Sequence, residues 1–315
     1  MNIEKRRISP LRVKGIMLVL IGGALWGISG TVAQYVFQQH HFTPDWLVVV
    51  RLLGAGFILV SLAAIKERQN IWAIWKSKQE AASLLLFSLL GMLGVQYTYF
   101  AAIHHSNAAT ATVLQYLAPA MISCFLALRG KRWPTGKELF AVVLALAGTF
   151  LLVTKGSFQS LSISGLALFW GIASAVALAF YTLQPHKLLA KWGSAMVVGW
   201  GMIIGGICFS FVHPPWKVEG QWSAASLLAV LFIVIFGTLI AFYCYLESLK
   251  YISASETSLL ASIEPLSAAF FSVIWLRVSF GIEEWLGTMC IISTIVILSL
   301  SKNSQKADAK ESISA

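Results

Sequence analysis

Glu264 and Pro265 stand side by side near the centre of an apolar run, residues 253–275. A carboxylate in hydrocarbon costs roughly 2.5–3.5 kcal/mol on insertion scales, so such a group faces a cavity, a partner or a proton. Proline lacks the backbone N–H that would bond the carbonyl four residues back, here that of Ala261. The run therefore reads as a membrane helix broken at mid-depth, where protein or water serves the freed carbonyl. In that place Glu264 can carry a proton or hold a substrate ammonium. Its structural alternatives are a pair with Arg51, or a protonated acid bonded to the freed carbonyl.

A second stretch repeats the design. Residues 107–128 carry Pro119 at their centre, and a shift of 146 positions lays Pro119 on Pro265, Tyr97 on Tyr243, Tyr99 on Tyr245 and Phe125 on Phe271, with Ala118 opposite Glu264. Thr112, Gln115, Tyr116 and Pro119 share one helical face, and Gln115 owns the carbonyl that Pro119 frees. Gln115 and Tyr116 either line a cavity or bond across to a neighbouring helix. Arg51, about seven residues into an apolar segment, either snorkels outward on its stem, pairs with Glu264, or grips a substrate carboxylate. Trp26 and Tyr97 are candidates for an aromatic lining open to apolar or cationic substrates. Pro119 and Pro265 are the expected helix-break residues.

Other polar groups have plainer readings. Ser253-x-x-Glu256 and Thr135-x-x-Glu138 are capping boxes at helix starts. Glu247 lies at a helix end near Lys250, as an inner gate or simply a solvated terminus. His40, His41, His104, His105 and His213 fall on one side of the chain, and ordinary interfacial positions explain them better than a metal site. The pairs Gly23/Gly27, Gly91/Gly94 and Gly201/Gly205 permit close helix approach. Trp46, Trp72, Trp75, Trp133, Trp216, Trp222 and Trp285 lie near helix ends and fit interfacial belts.

With 58% hydrophobic and only 11% charged residues, against about 25% charged in soluble domains, the chain is a membrane protein. A net charge of +10 invites a nucleic-acid reading, but the charges sit in short runs between apolar segments. The 4 cysteines all lie in apolar segments without ligand spacing, which argues against disulfides and structural metal. No cofactor is expected, and no G-x-x-x-x-G-K-[ST] loop is present for ATP.

At about 20 residues per crossing, spans fall near 15–37, 45–65, 81–103, 107–128, 137–154, 163–183, 194–212, 225–249, 254–276 and 284–301. This is an all-α polytopic membrane protein with ten transmembrane helices. The first span is too long for a signal-peptide core and is retained. With the N-terminus cytoplasmic, nineteen of the 23 Lys and Arg residues lie inside, three (Lys155, Lys217, Arg277) outside, and Arg51 within a span; both termini are then cytoplasmic. Five helices per half is odd, so the halves are inverted, which suits alternating access around a midplane site. The segments are a basic stretch 1–14, repeats 15–155 and 160–301, and a polar tail 302–315 expected to be disordered.

Two five-helix halves, each with an A-x-x-A/S…P helix followed by a Gly-bearing one, resemble the drug/metabolite transporter superfamily, EamA family. The likeness rests on 108–127 with 141–152, and on 254–276 with Glu284-Trp285-Leu286-Gly287 and the apolar run after it. The family usually shows Leu-Gly-Glu after each broken helix; here Arg129-Gly130-Lys131 and Leu276-Arg277-Val278 stand there, and no role carries over for that acid. The resemblance implies export or uptake of small metabolites through a cavity lined by helices 1, 3, 4, 6, 8 and 9. The resulting expectation is a secondary transporter in the cell membrane, an exporter of amphipathic metabolites with amino acids first, partnered by lipid, a small substrate and protons, and not an enzyme. Alternatives are sugars, nucleotides or drugs as cargo, or a membrane enzyme acting on lipid-linked substrates.

Overall fold

The computed structural model describes residues 10–66, 70–131, 133–157, 162–252, 257 and 260–314, without the side chains of 66 and 299–314. Those residues form helices and connecting turns. Among them, in chain order, are α1 (Pro10–His40), α2 (Pro44–Lys66), α3 (Lys78–His105), α4 (Ala108–Arg129), α5 (Gly136–Thr154), α6 (Gly165–Leu183), α7 (Ser194–Ser210), α8 (Ala224–Ser248), α9 (Ile263–Ile274) and α10 (Ile282–Ser314). Seven of these, α1–α6 and α8, are long and apolar enough to cross a membrane, and α7 and α9 are shorter apolar helices. Helices suit such a chain because every backbone group is then paired within its own segment.

Local chemistry sets the starts. Proline opens α1 and α2, where its missing N–H is not needed. Asn107 accepts from Thr110 N at 2.8 Å at the head of α4. Thr135 and Glu138 close the expected capping box on α5: Thr135 N donates to Glu138 Oε2 at 2.7 Å and Glu138 N to Thr135 Oγ1 at 3.3 Å. Ser223 and Ser226 form an equivalent box on α8. The Ser253–Glu256 box falls outside the described residues.

Three of the long helices are irregular. A π-helical segment, Phe87–Leu93, interrupts α3, and another, Ile235–Ile240, interrupts α8. In α4 the helix lapses at Tyr116 and Leu117 before resuming at Ala118. The chain before α9 likewise turns at Ala261 and Ser262.

Packing follows a pattern that survives exchange of the halves. α1 lies against α8 and α9, while α6 lies against α3 and α4; α2 pairs with α7, and α5 with α10. Small residues allow the closest approaches. On the α5–α10 seam a Cβ at Gly148 would stand 2.7 Å from the Gly287 carbonyl. Gly201 packs on Phe87 and Gly205 on Leu93, as expected of that pair.

α10 runs as helix to Ser314; no Gly or Pro follows Gly287, and Lys, Gln, Ala and Glu are good helix formers. One expectation needs correction. Trp46 is buried at 4% exposure rather than lying in a belt. Its Nε1 donates to Pro215 O at 2.8 Å, and its ring packs with Phe42 and Trp222. With Gln221 N donating to His40 O at 2.8 Å, the 211–223 loop is fastened over the α1–α2 turn.

Candidate functional site

Both helix breaks precede a proline. Pro119 is the second residue of the resumed α4 and Pro265 the third of α9, first-turn positions where the absent donor costs nothing. Their approach to each other makes the site. From the α4 break, the Tyr116 hydroxyl reaches α9, lying 3.0 Å from Ala261 O and 2.9 Å from Glu264 Oε2. Ala261 O is the carbonyl that Pro265 cannot serve. The Glu264 backbone N–H also donates to it, at 3.0 Å, in a tightened turn.

α1 closes another side. A Cβ on Gly27 would run into Glu264 O and stand 2.8 Å from Ala268 N, so only glycine lets α1 lie this close to the start of α9. Gly23 does the same against Ala261 and Ile263. Next to Gly27, Trp26 meets two α8 rings, Phe242 at 5.1 Å and Tyr245 at 5.2 Å between centroids. Tyr245 is within electrostatic reach of both Glu264 and Tyr116. Glu264, Tyr116, Trp26 and Tyr245 are only partly buried, and an acid and three aromatic side chains gather where α1, α4, α8 and α9 meet. That arrangement suits a cationic or amphipathic group: the carboxylate supplies charge, and the ring faces supply cation–π and apolar contact.

Arg51 occupies a second, sealed place at 5% exposure. Nε donates to Thr238 Oγ1 at 2.6 Å and one terminal nitrogen to Gly237 O at 3.3 Å, both in the π segment of α8. The guanidinium lies 4.9 Å from the Phe100 ring centroid. No ion pair joins it to Glu264 among the described residues, although the two are within electrostatic reach; a direct salt bridge is thus not how either charge is held. Tyr99 stands within reach of both charges and shares a 2.8 Å bond with Thr112.

The remaining candidates separate. Gln115 is buried at the last residue before the α4 break, but enters none of the bonds that join Tyr116, Glu264 and Ala261. Tyr97 lies with Trp170 and Phe209, 5.5 and 5.1 Å away, and reaches Asp45 rather than the acid. Its ring contacts are with this aromatic group and not with the residues around Glu264. Glu247 pairs with Lys250 at 2.7 Å and accepts from Tyr251, which in turn accepts from Lys14 at 2.9 Å, tying α1 to α8 at the basic end. Among the described residues no three His, Cys, Asp or Glu side chains are grouped to hold a metal.

Thr238 and Phe100 were not singled out from sequence, and Tyr245 only as the position matching Tyr99. A signal for the π segments existed: Gly91 and Gly237, one in each, are 146 positions apart like the two prolines.

Comparison with known proteins agrees with this architecture. The family described as the EamA-like transporter family matches twice, over residues 13–154 and 165–300. The uncharacterized inner membrane transporter YicL of Salmonella typhimurium is 44% identical over 91% of this chain and 95% of its own. The uncharacterized transporter YwfM of Bacillus subtilis is 24% identical, covering 92% and 95%. One solved crystal structure shares the fold with a TM-score of 0.64 at 15% identity, covering 93% of this chain and 99% of that one. With seven membrane-capable helices, the chain is a multi-pass membrane protein. It belongs to the EamA-like transporter family.

Proposed function

We propose that the protein is a secondary transporter that exports small amphipathic metabolites, amino acids first, by alternating access, with Glu264 as its proton-binding group. The observation that carries this reading is the Tyr116–Glu264–Ala261 contact, in which the two broken helices meet at a partly open acid. Ten crossings in two inverted halves, with both termini cytoplasmic, complete the reading. The packing pattern supports it, since α1 stands to α8 and α9 as α6 stands to α3 and α4, and so does the double family match. Discontinuous helices at a repeat interface are the usual seat of substrate in such transporters.

The test is counterflow in proteoliposomes, with a panel of labelled amino acids outside and the unlabelled compounds trapped within. Exchange that depends on the trapped compound, and whose pH dependence disappears in Glu264→Gln, is the expected result. No exchange of any panel member, or the wild-type pH profile in Glu264→Gln, would overturn the reading.

A further inference from the structure

We propose that Tyr116 reports the proton on Glu264 to the helix breaks, its single hydroxyl hydrogen moving between the Glu264 carboxylate and the Ala261 carbonyl. The inference rests on the transporter reading above and deepens it. A phenol has one hydrogen to donate and lone pairs to accept, whereas Tyr116 Oη has two acceptors, at 2.9 and 3.0 Å. When Glu264 is a carboxylate, the charge-assisted bond is the stronger, by roughly a factor of two, and Tyr116 donates there. Ala261 O then keeps only the Glu264 N–H. When Glu264 takes a proton from water, its own O–H donates to Tyr116 Oη. The phenol hydrogen turns to Ala261 O, and a continuous chain Glu264→Tyr116→Ala261 results. No covalent bond to carbon changes; one proton arrives from water and one hydroxyl rotates.

The consequence is mechanical because of where the residues sit. Tyr116 is itself the break residue of α4, and Ala261 is the break residue before α9. Protonation thus moves the Tyr116 hydrogen of this link onto the Ala261 carbonyl, and deprotonation frees the Ala261 turn from it. Four titratable or charged groups face Glu264: Tyr116 from α4, Tyr99 from α3, Tyr245 from α8 and Arg51 from α2. α1 brings Gly27 and Trp26, which do not titrate. Tyr99 is engaged by Thr112, and Arg51 by Thr238 and Gly237. Tyr116 is the one of the four bonded to the acid. It is a positioning residue, acting through Glu264.

Tyr116→Phe removes the hydrogen and keeps the ring. Two readouts on purified protein separate the outcomes. The first is infrared difference spectroscopy between acidic and alkaline buffer, which follows the protonated carboxyl band of Glu264 and needs no substrate; Glu264→Gln identifies the band. The second is counterflow of an equimolar mixture of tritiated amino acids at both pH values. Expected for Tyr116→Phe is a displaced carboxyl band, with exchange that persists but loses about fivefold of its pH dependence, the worth of one hydrogen bond. An unmoved band with the wild-type pH profile overturns the Tyr116 inference while leaving the transporter reading intact. No exchange in wild type overturns the transporter reading, and the inference with it. Should Tyr116→Phe fail to fold, Pro265→Ala serves instead: it gives Ala261 O a permanent backbone donor and should flatten the pH profile. A wild-type profile in Pro265→Ala overturns the inference.

Discussion

Gly27→Ala is the smallest change that reaches the site through packing alone. The added Cβ would meet three α9 atoms at once: the Glu264 carbonyl oxygen, Ala268 N at 2.8 Å and Ser267 Cβ at 2.8 Å. Two of these are backbone and cannot rotate aside, so α1 must retreat from α9. Overpacking of this kind costs about 1–3 kcal/mol, and three simultaneous clashes put it near the upper end. Alanine recovers up to about 1 kcal/mol as the better helix former. The net expectation is a loss of about 2 kcal/mol, or roughly thirtyfold in the folding equilibrium.

Two companions make the number interpretable. Gly148→Ala meets Gly287 O at 2.7 Å, Ile291 Cγ1 at 2.8 Å and Cys290 Cβ at 2.9 Å, an equally tight spot on the α5–α10 seam, which carries no residue of the site. Gly136→Ala meets nothing within 4 Å and should be neutral or slightly stabilising. Reversible denaturant titration in mixed micelles gives the three stabilities, and counterflow gives turnover. Gly27→Ala and Gly148→Ala should lose similar stability, with only Gly27→Ala slowing exchange beyond its loss of folded protein. If Gly27→Ala is as stable as wild type, or if Gly148→Ala slows exchange equally, the claim that the α1–α9 contact positions Glu264 is wrong.

Other outcomes follow from the same contacts. Glu264→Gln should weaken the pH dependence of flux while expression and insertion stay at wild-type levels; unchanged flux at every pH removes the acid from the mechanism. Pro119→Ala and Pro265→Ala each restore a donor to a carbonyl at a break, and each should slow turnover more than it lowers the melting temperature. Wild-type rates in both would count against gating by the broken helices. Arg51→Leu deprives Gly237 O and Thr238 Oγ1 of their donor, and an orphaned buried group costs about 1–3 kcal/mol; equal or greater stability in micelles would show that the π segment does not rely on the guanidinium.

What the sequence made legible was whatever depends on a residue type acting locally. The Thr135–Glu138 cap, the lapse of helix before Pro119 and Pro265, and the Gly23/Gly27 approach needed only the chemistry of the named residue. Side-chain direction across long helices was less legible. A π segment inserts one residue's worth of rotation, about 100°, so every position beyond Leu93 in α3 faces elsewhere than a regular helix would place it. Tyr97, a candidate for the aromatic lining, packs with Trp170 and Phe209, while Tyr99 is within electrostatic reach of Arg51 and Glu264. Trp46 misled for a different reason. Its position near a helix end said nothing of a distant loop folding over it.

The 146-residue correspondence carries the helix breaks but not the side chains that bond across them. Gly91 and Gly237, and Pro119 and Pro265, lie at matching helix irregularities 146 positions apart. The residues that bond across them are not repeated: Tyr116 corresponds to Ser262, and Glu264 to Ala118. Exchange of the halves would therefore set Ser262 opposite Ala118, which has no group to bond. Ala118 is 1% exposed, and an acid placed there without a tyrosine partner would face the full desolvation cost of a buried charge. The backbone irregularities are thus duplicated. The tyrosine–acid contact occurs once among the described residues, at the start of α9, and in the proposed mechanism one such group is enough for a proton to shift the balance between two states.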